Sequence, residues 1–143
     1  MSLKNIIIGL LMLPLLGCQF AYEHNKPEKV ALAFMQAVYI DKNIEQAKQF
    51  VDQEIYQLME HYHTPKAIQK HVLGVVMDNV ALEVKNIDID FFRTKVKDIK
   101  VQIKLDGYQD NKRRFDDREL ILNKINERWV ITKLNPDRFQ VSG

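Results

Sequence analysis

Three histidines, His61, His63 and His71, carry the densest ligand chemistry in the sequence. On a helix His61 and His63 point about 200° apart and cannot share one metal ion. A His-x-His pair would converge on a strand, but its neighbours do not alternate as a strand does, and no further ligand stands at zinc spacing. Solvated histidines flanking a turn are therefore expected, with no metal and no cofactor. Asp88 and Asp90 share one face of an alternating segment. They could do acid–base work if one were desolvated. Ile87, Ile89 and Phe91 take the other face, so hydrated carboxylates on the wet side are expected. Phe34, Tyr39, Phe50, Tyr56, Phe91 and Trp129 are the aromatic set that could line a pocket, although such spacings more often mean core packing. Apart from Ser2, the sequence has Ser142 as its one serine, and Cys18 is its one cysteine. No serine–histidine elbow, phosphate loop, dinucleotide fingerprint or metalloprotease motif is present. No catalytic residue is assigned, and the chain is not expected to be an enzyme.

Lys95, Lys97, Lys100, Lys104, Lys112, Arg113 and Arg114 make the second half basic, but Asp98, Asp106, Asp110, Asp116 and Asp117 are interleaved with them. A mixed, solvated surface is expected, with anionic lipid or glycan phosphate as the sharper alternative. The formal net charge of +2 lacks the basic excess of a nucleic-acid binder, so no nucleic-acid partner is expected. With 46% apolar and 28% charged residues the chain is neither disordered nor fibrous.

Lys4 precedes an apolar run over residues 6–16, broken by Gly9 and Pro14 and ending in Leu15-Leu16-Gly17-Cys18. The run suits a secretory leader and falls short of the roughly 20 residues of a membrane span. Its end resembles the lipobox of bacterial lipoproteins. That resemblance implies cleavage between Gly17 and Cys18 and a diacylglyceryl group on the Cys18 thiol. It also implies a palmitate-type acyl chain on the new amino terminus, which together give firm membrane attachment. Gln19 is not the aspartate that retains such proteins at the inner membrane, which implies the periplasmic side of the outer membrane. Residues 1–17 are thus read as the signal peptide, 18–26 as a short lipidated tether, and 27–143 as one domain. The eight residues 19–26 reach at most about 26–29 Å, so the domain stays near the bilayer. A lone cysteine makes no internal disulfide, and the domain must be stable by packing.

The elements that position these residues change character midway. Pro27 suits a first helical position and Glu28 the positive end of the dipole, and residues 30–40 are apolar except Gln36. A helix over 27–40, apolar nearly all round, belongs in the concave face of a sheet. Asn43 and Gln46 form a capping pattern for a second helix, with Ala47, Val51, Ile55, Leu58 and Tyr62 on one face and an interruption at Asp52. Thr64-Pro65 starts a third helix through Ile68 and Val72 to Val75 or Val76, ending at Asp78-Asn79. From Val80 the period is two, with a bulge near Lys85-Asn86. Ile99, Val101, Ile103 and Leu105 make the clearest strand, residues 106–114 a hairpin loop, Leu120 and Leu122 a third strand, 123–127 a turn, and 129–134 a last strand stopped by Pro136.

This predicts an α+β domain with N-terminal helices packed on a curved antiparallel sheet of about four strands, cone-like. The helix beginning Pro27-Glu28, then Asp41, the Ala47-Lys48-Gln49-Phe50 segment and the Arg128-Trp129-Val130-Ile131 hairpin resemble small lipoproteins of the nuclear-transport-factor-2-like, cystatin-like superfamily over residues 27–135. In that superfamily the cone mouth serves as enzyme site, ligand pocket or partner surface, so fold does not decide function. The function expected is a non-catalytic envelope lipoprotein that binds a protein partner, with a homodimer through the sheet left open. A small-ligand carrier using the cone interior is the alternative, and an enzyme comes third.

Overall fold

The computed structural model describes residues 26–89 and 98–135. Four helices precede four strands: α1 (Pro27–Tyr39), α2 (Ile44–Ala47) continued by a 3-10 turn (Lys48–Phe50), α3 (Gln53–Tyr62) and α4 (Pro65–His71), then β1 (Asp78–Ile89), β2 (Ile99–Gln109), β3 (Lys112–Ile125) and β4 (Arg128–Asn135). The strands form one curved antiparallel sheet in the order β1-β2-β3-β4, so β1 and β4 are its edges. The architecture is α+β, as the change of period predicts. Cys18, Gly17, the tether up to residue 25, Asp90, Phe91, Lys95, Lys97, Pro136 and Ser142 lie outside the described residues.

Local chemistry sets the helix starts. Pro27 opens α1 with a ring that needs no N–H partner there. The side chains of Asn43, Asp52 and Thr64 accept from the N–H groups of Gln46 (3.1 Å), Ile55 (3.0 Å) and Ala67 (3.2 Å). Each satisfies one donor that a helix start leaves orphaned. The interruption expected at Asp52 is therefore the cap of a separate helix. α1 touches all four strands, and Val30, Ala31, Phe34, Met35, Ala37, Val38 and Tyr39 are buried there. Val101, Ile103, Leu105, Leu120, Leu122 and Ile131 meet them from the sheet. Burying one such large side chain contributes about 1.5–3 kcal/mol, so this layer is what holds helices to strands.

Three expectations are corrected. The third helix ends at His71, and Gly74 at φ 73° breaks the chain before β1, which begins at Asp78 instead of Val80. Residues 106–114 are not a loop: β2 and β3 pair as far as Gln109 with Lys112 around the two-residue turn Asp110-Asn111. Both turn residues have positive φ (50° and 61°), the conformation whose twist matches a tight hairpin. The same holds for Asn126-Glu127 (49° and 64°), which shortens the expected turn of 123–127 and lengthens both flanking strands. The bulge at Lys85-Asn86 is present as a register shift between Val84 and Asn86. Gly107 shows why a glycine sits in a buried strand. A Cβ there would lie 2.9 Å from the Asp78 carbonyl oxygen and 3.0 Å from Val80 Cγ2, too close for any other residue.

Candidate functional site

Two concavities of similar size, about 740 and 730 Å³, stand out on the described surface. The first is a trough on the sheet face turned away from the helices, with Glu83, Lys85, Lys104, Phe115 and Asp117 among its lining. Its charges answer one another. Lys85 Nζ donates to Asp117 Oδ2 at 3.3 Å, and the Lys104 ammonium lies 5.8 Å from the Phe115 ring centroid. Nearby, Arg113 donates to both Asp106 oxygens at 3.1 and 2.9 Å, which holds the Asp106 carboxyl below its ordinary range. Arg114 pairs with Asp116 at 3.1 Å. Lys100 stands opposite Asp88 in the strand register, and both are exposed. Among the described residues, the basic half of the chain is thus a mixed surface with several internal pairs, and Asp88 is an exposed carboxylate on that wet face.

The second concavity is a groove between α3, the end of α4 and the edge strand β4. Glu54, Leu58 and His61 reach it from α3 because steps of four and three place them along one flank of a helix. The buried Ile55 and Val72 give it an apolar floor, His71 joins the lining from α4, and Thr132, Lys133 and Leu134 line it from β4. Leu58 is 41% exposed, a large apolar side chain at a rim where the pattern of α3 predicted burial.

The structure brings two of the three histidines to this groove and keeps them apart. The Tyr62 ring stacks on His71 with centroids 4.8 Å apart and planes at 14°, and meets His61 edge-on at 4.8 Å and 81°. His63 turns away in a left-handed conformation that ends α3. Among the described residues no group of three or more His, Cys, Asp or Glu is placed to hold a metal ion. All three histidines are exposed around the turn between α3 and α4, as expected, and His61 and His71 also pack on Tyr62.

Of the aromatic set that could line a pocket, three members take the core packing that such spacings more often mean. Phe34, Tyr39 and Phe50 are buried in the core itself, Tyr56 is exposed under the Lys48 ammonium, and Trp129 is half-buried under Lys124. They belong to different layers, and none of the five lines the groove. The helix-facing interior is filled by side chains of the core, those of Phe34, Tyr39 and Phe50 among them.

Sequence reasoning missed three buried polar residues: Lys48, Gln69 and Arg118. Arg118 Nε donates to the Leu73 carbonyl at 2.6 Å, and its Nη1 donates to Asp116 Oδ1 at 2.7 Å. Gln69 donates to the Val38 carbonyl at 3.4 Å and accepts from the Met77 N–H at 3.3 Å. Lys48 donates to Glu45 at 2.7 Å and to Glu60, and these bonds raise its pKa while the same pair lowers that of Glu60. A signal existed for Arg118, which shares strand parity with the dry-face Leu120 and Leu122. Arg118 fastens the connection into β1 to the sheet, Gln69 ties α4 to α1 and to that connection, and Lys48 ties the 3-10 turn to α2 and α3.

No family model matches the chain, and no curated protein matches it. Among solved structures it is similar to a designed NTF2-like protein, Rd1NTF2_05 carrying five substitutions, with 12% identity and a TM-score of 0.46 over 76% of this chain and 90% of that one. It is also similar to the intermembrane space region of the chloroplast protein ARC6, with 15% identity and a TM-score of 0.43 over 76% of this chain and 91% of that one. At such values neither likeness bears on the site. The fold stands on its own strand order and register, which agree with the α+β architecture of helices on a curved four-stranded antiparallel sheet expected from the sequence.

Proposed function

We propose that this chain is a lipid-anchored envelope protein of the NTF2-like kind, fixed through Cys18 to a bacterial outer membrane on its periplasmic side. It holds a protein partner in the groove between α3 and β4 and performs no chemistry on it. One observation carries the binding half of this reading. The groove combines an apolar floor, the exposed Leu58 and a sheet edge in one concavity of about 730 Å³, a size typical of built binding clefts. The buried polar side chains, by contrast, are bonded to carbonyls and carboxylates of the domain and do not converge on that groove. The leader and its terminal cysteine support the anchoring half, and among the described residues no helix is long and apolar enough to cross a membrane. The short tether then sets the groove within reach of partners at the bilayer surface.

Anchoring is tested by labelling cells with palmitate. The parent chain incorporates label and sediments with membranes, and Cys18→Ser loses both. A Cys18→Ser chain that keeps label and membrane association overturns the anchor.

A further inference from the structure

The open edge of β4 already shows how it takes a strand. Val51 pairs with Ile131 in an isolated parallel bridge, and the Asp52 N–H donates to the Ile131 carbonyl at 2.9 Å. The chain then turns away into α3 and abandons the edge after one residue. Among the described residues, no further main-chain hydrogen bond is made to that edge beyond Ile131. Thr132 is the extra residue of a bulge, because Ile121 faces Lys133 while Leu122 faces Ile131. Bulges re-aim a strand and are common beside functional sites. Past this one, Lys133 and Leu134 form the wall of the groove. Unpaired edges of this sort are templates for an incoming strand.

We propose, resting on the partner-binding reading above, that the partner enters as an extended peptide and adds a fifth strand parallel to β4, continuing the pairing that Val51 begins. The groove states the chemistry of that peptide. Alternate side chains of a strand point to opposite faces. Those turned toward the helices meet Ile55, Leu58 and Val72 and are apolar. Those turned away lie beside Lys133 and include a carboxylate. Across the groove the Glu54 carboxylate favours a cation at the end that reaches α3. Main-chain bonds supply affinity and the alternating pockets supply selection, the general mode of strand addition.

The test uses the full acylated chain in detergent micelles and a displayed library of random twelve-residue peptides. Enriched peptides carry apolar residues at every second position with an acidic residue between them. The register leaves the Leu134 N–H facing the open edge, while that of Lys133 faces Ile121 of β3; an enriched peptide therefore slows hydrogen exchange of the Leu134 amide at least tenfold, and Leu58→Glu weakens its binding at least tenfold. Absence of enrichment, apolar residues at helical spacing, or bound peptides that leave the Leu134 amide unchanged would overturn the proposal. Failure of the underlying reading looks different. Peptides that pair with the edge, while no cellular partner crosslinks in the groove, sink the partner-binding reading and leave strand addition standing. A crosslinked partner that leaves the β4 amides unprotected does the reverse.

Discussion

The Tyr39 hydroxyl, at the end of α1, donates a 2.7 Å hydrogen bond to the carbonyl of Val75 in the connection between α4 and β1. Both residues are buried, so the bond ties the central helix to the segment that delivers the chain into the sheet. Tyr39→Phe keeps the ring and leaves the Val75 carbonyl without this donor. An unsatisfied buried group costs about 1–3 kcal/mol, so the urea midpoint falls accordingly. Burial also raises the Tyr39 pKa above its ordinary value of 10.0. A group whose folded pKa is raised contributes stability that is present below the unfolded pKa and lost as pH rises beyond it. The parent therefore loses stability above about pH 10, and Tyr39→Phe shows a shallower alkaline decline in the same titration.

Arg118 and Asp116 form an ion pair whose side chains are 7% and 9% exposed. Removing one partner of such a pair costs about 3–5 kcal/mol because the other charge stays buried. Arg114 also holds Asp116, so Arg118→Met falls at the lower end of that range by urea denaturation. Arg118→Met combined with Asp116→Leu is more stable than Arg118→Met alone, since it removes a buried carboxylate that keeps only its outer partner Arg114 and the Asp117 N–H.

The Lys48–Glu60 contact predicts an acid-sensitive term of opposite sign to the tyrosine's. Hydrogen bonding from Lys48 lowers the Glu60 carboxyl from its ordinary value of 4.5. The stabilisation is present above that value and is lost as pH falls through the folded pKa. Thermal unfolding between pH 5 and about 3 therefore shows a smaller fall in Tm for Glu60→Gln than for the parent, from a lower starting point.

Gly107→Ala inserts a Cβ against the Asp78 carbonyl and Val80. Overpacking of a buried site costs about 1–3 kcal/mol, and here it falls where β1 enters the sheet. Hydrogen exchange of β1 amides near Val80 rises more than that of β3 amides in this variant.

Much of this fold is legible in the sequence, because side-chain period and turn chemistry are local. The caps at Asn43, Asp52 and Thr64 and the bulge at Lys85-Asn86 follow from residues within a few positions of each other. The ends of α4 and of the hairpins are less legible. Val75 is apolar at helical spacing, yet it is buried from an irregular segment, and Asp-Asn and Asn-Glu turns look longer than two residues until their positive φ angles are seen. The groove was hidden for a different reason. It joins Leu58 and His61 to Thr132 and Lys133 across more than half the domain, and a contact between distant elements leaves no period behind. The aromatic residues left core and pocket both open, because size and spacing look the same in a filled core as around a cavity.

The most direct test of partner binding in the groove is a photo-reactive amino acid placed at Leu58 in the full chain in living cells, with a second chain carrying it at Tyr108 on the opposite sheet face. The account predicts a discrete membrane-fraction adduct from Leu58, absent from Tyr108 and abolished by adding Lys133→Glu. Equal adducts from both positions, or none from Leu58 in a correctly folded and anchored chain, would contradict it.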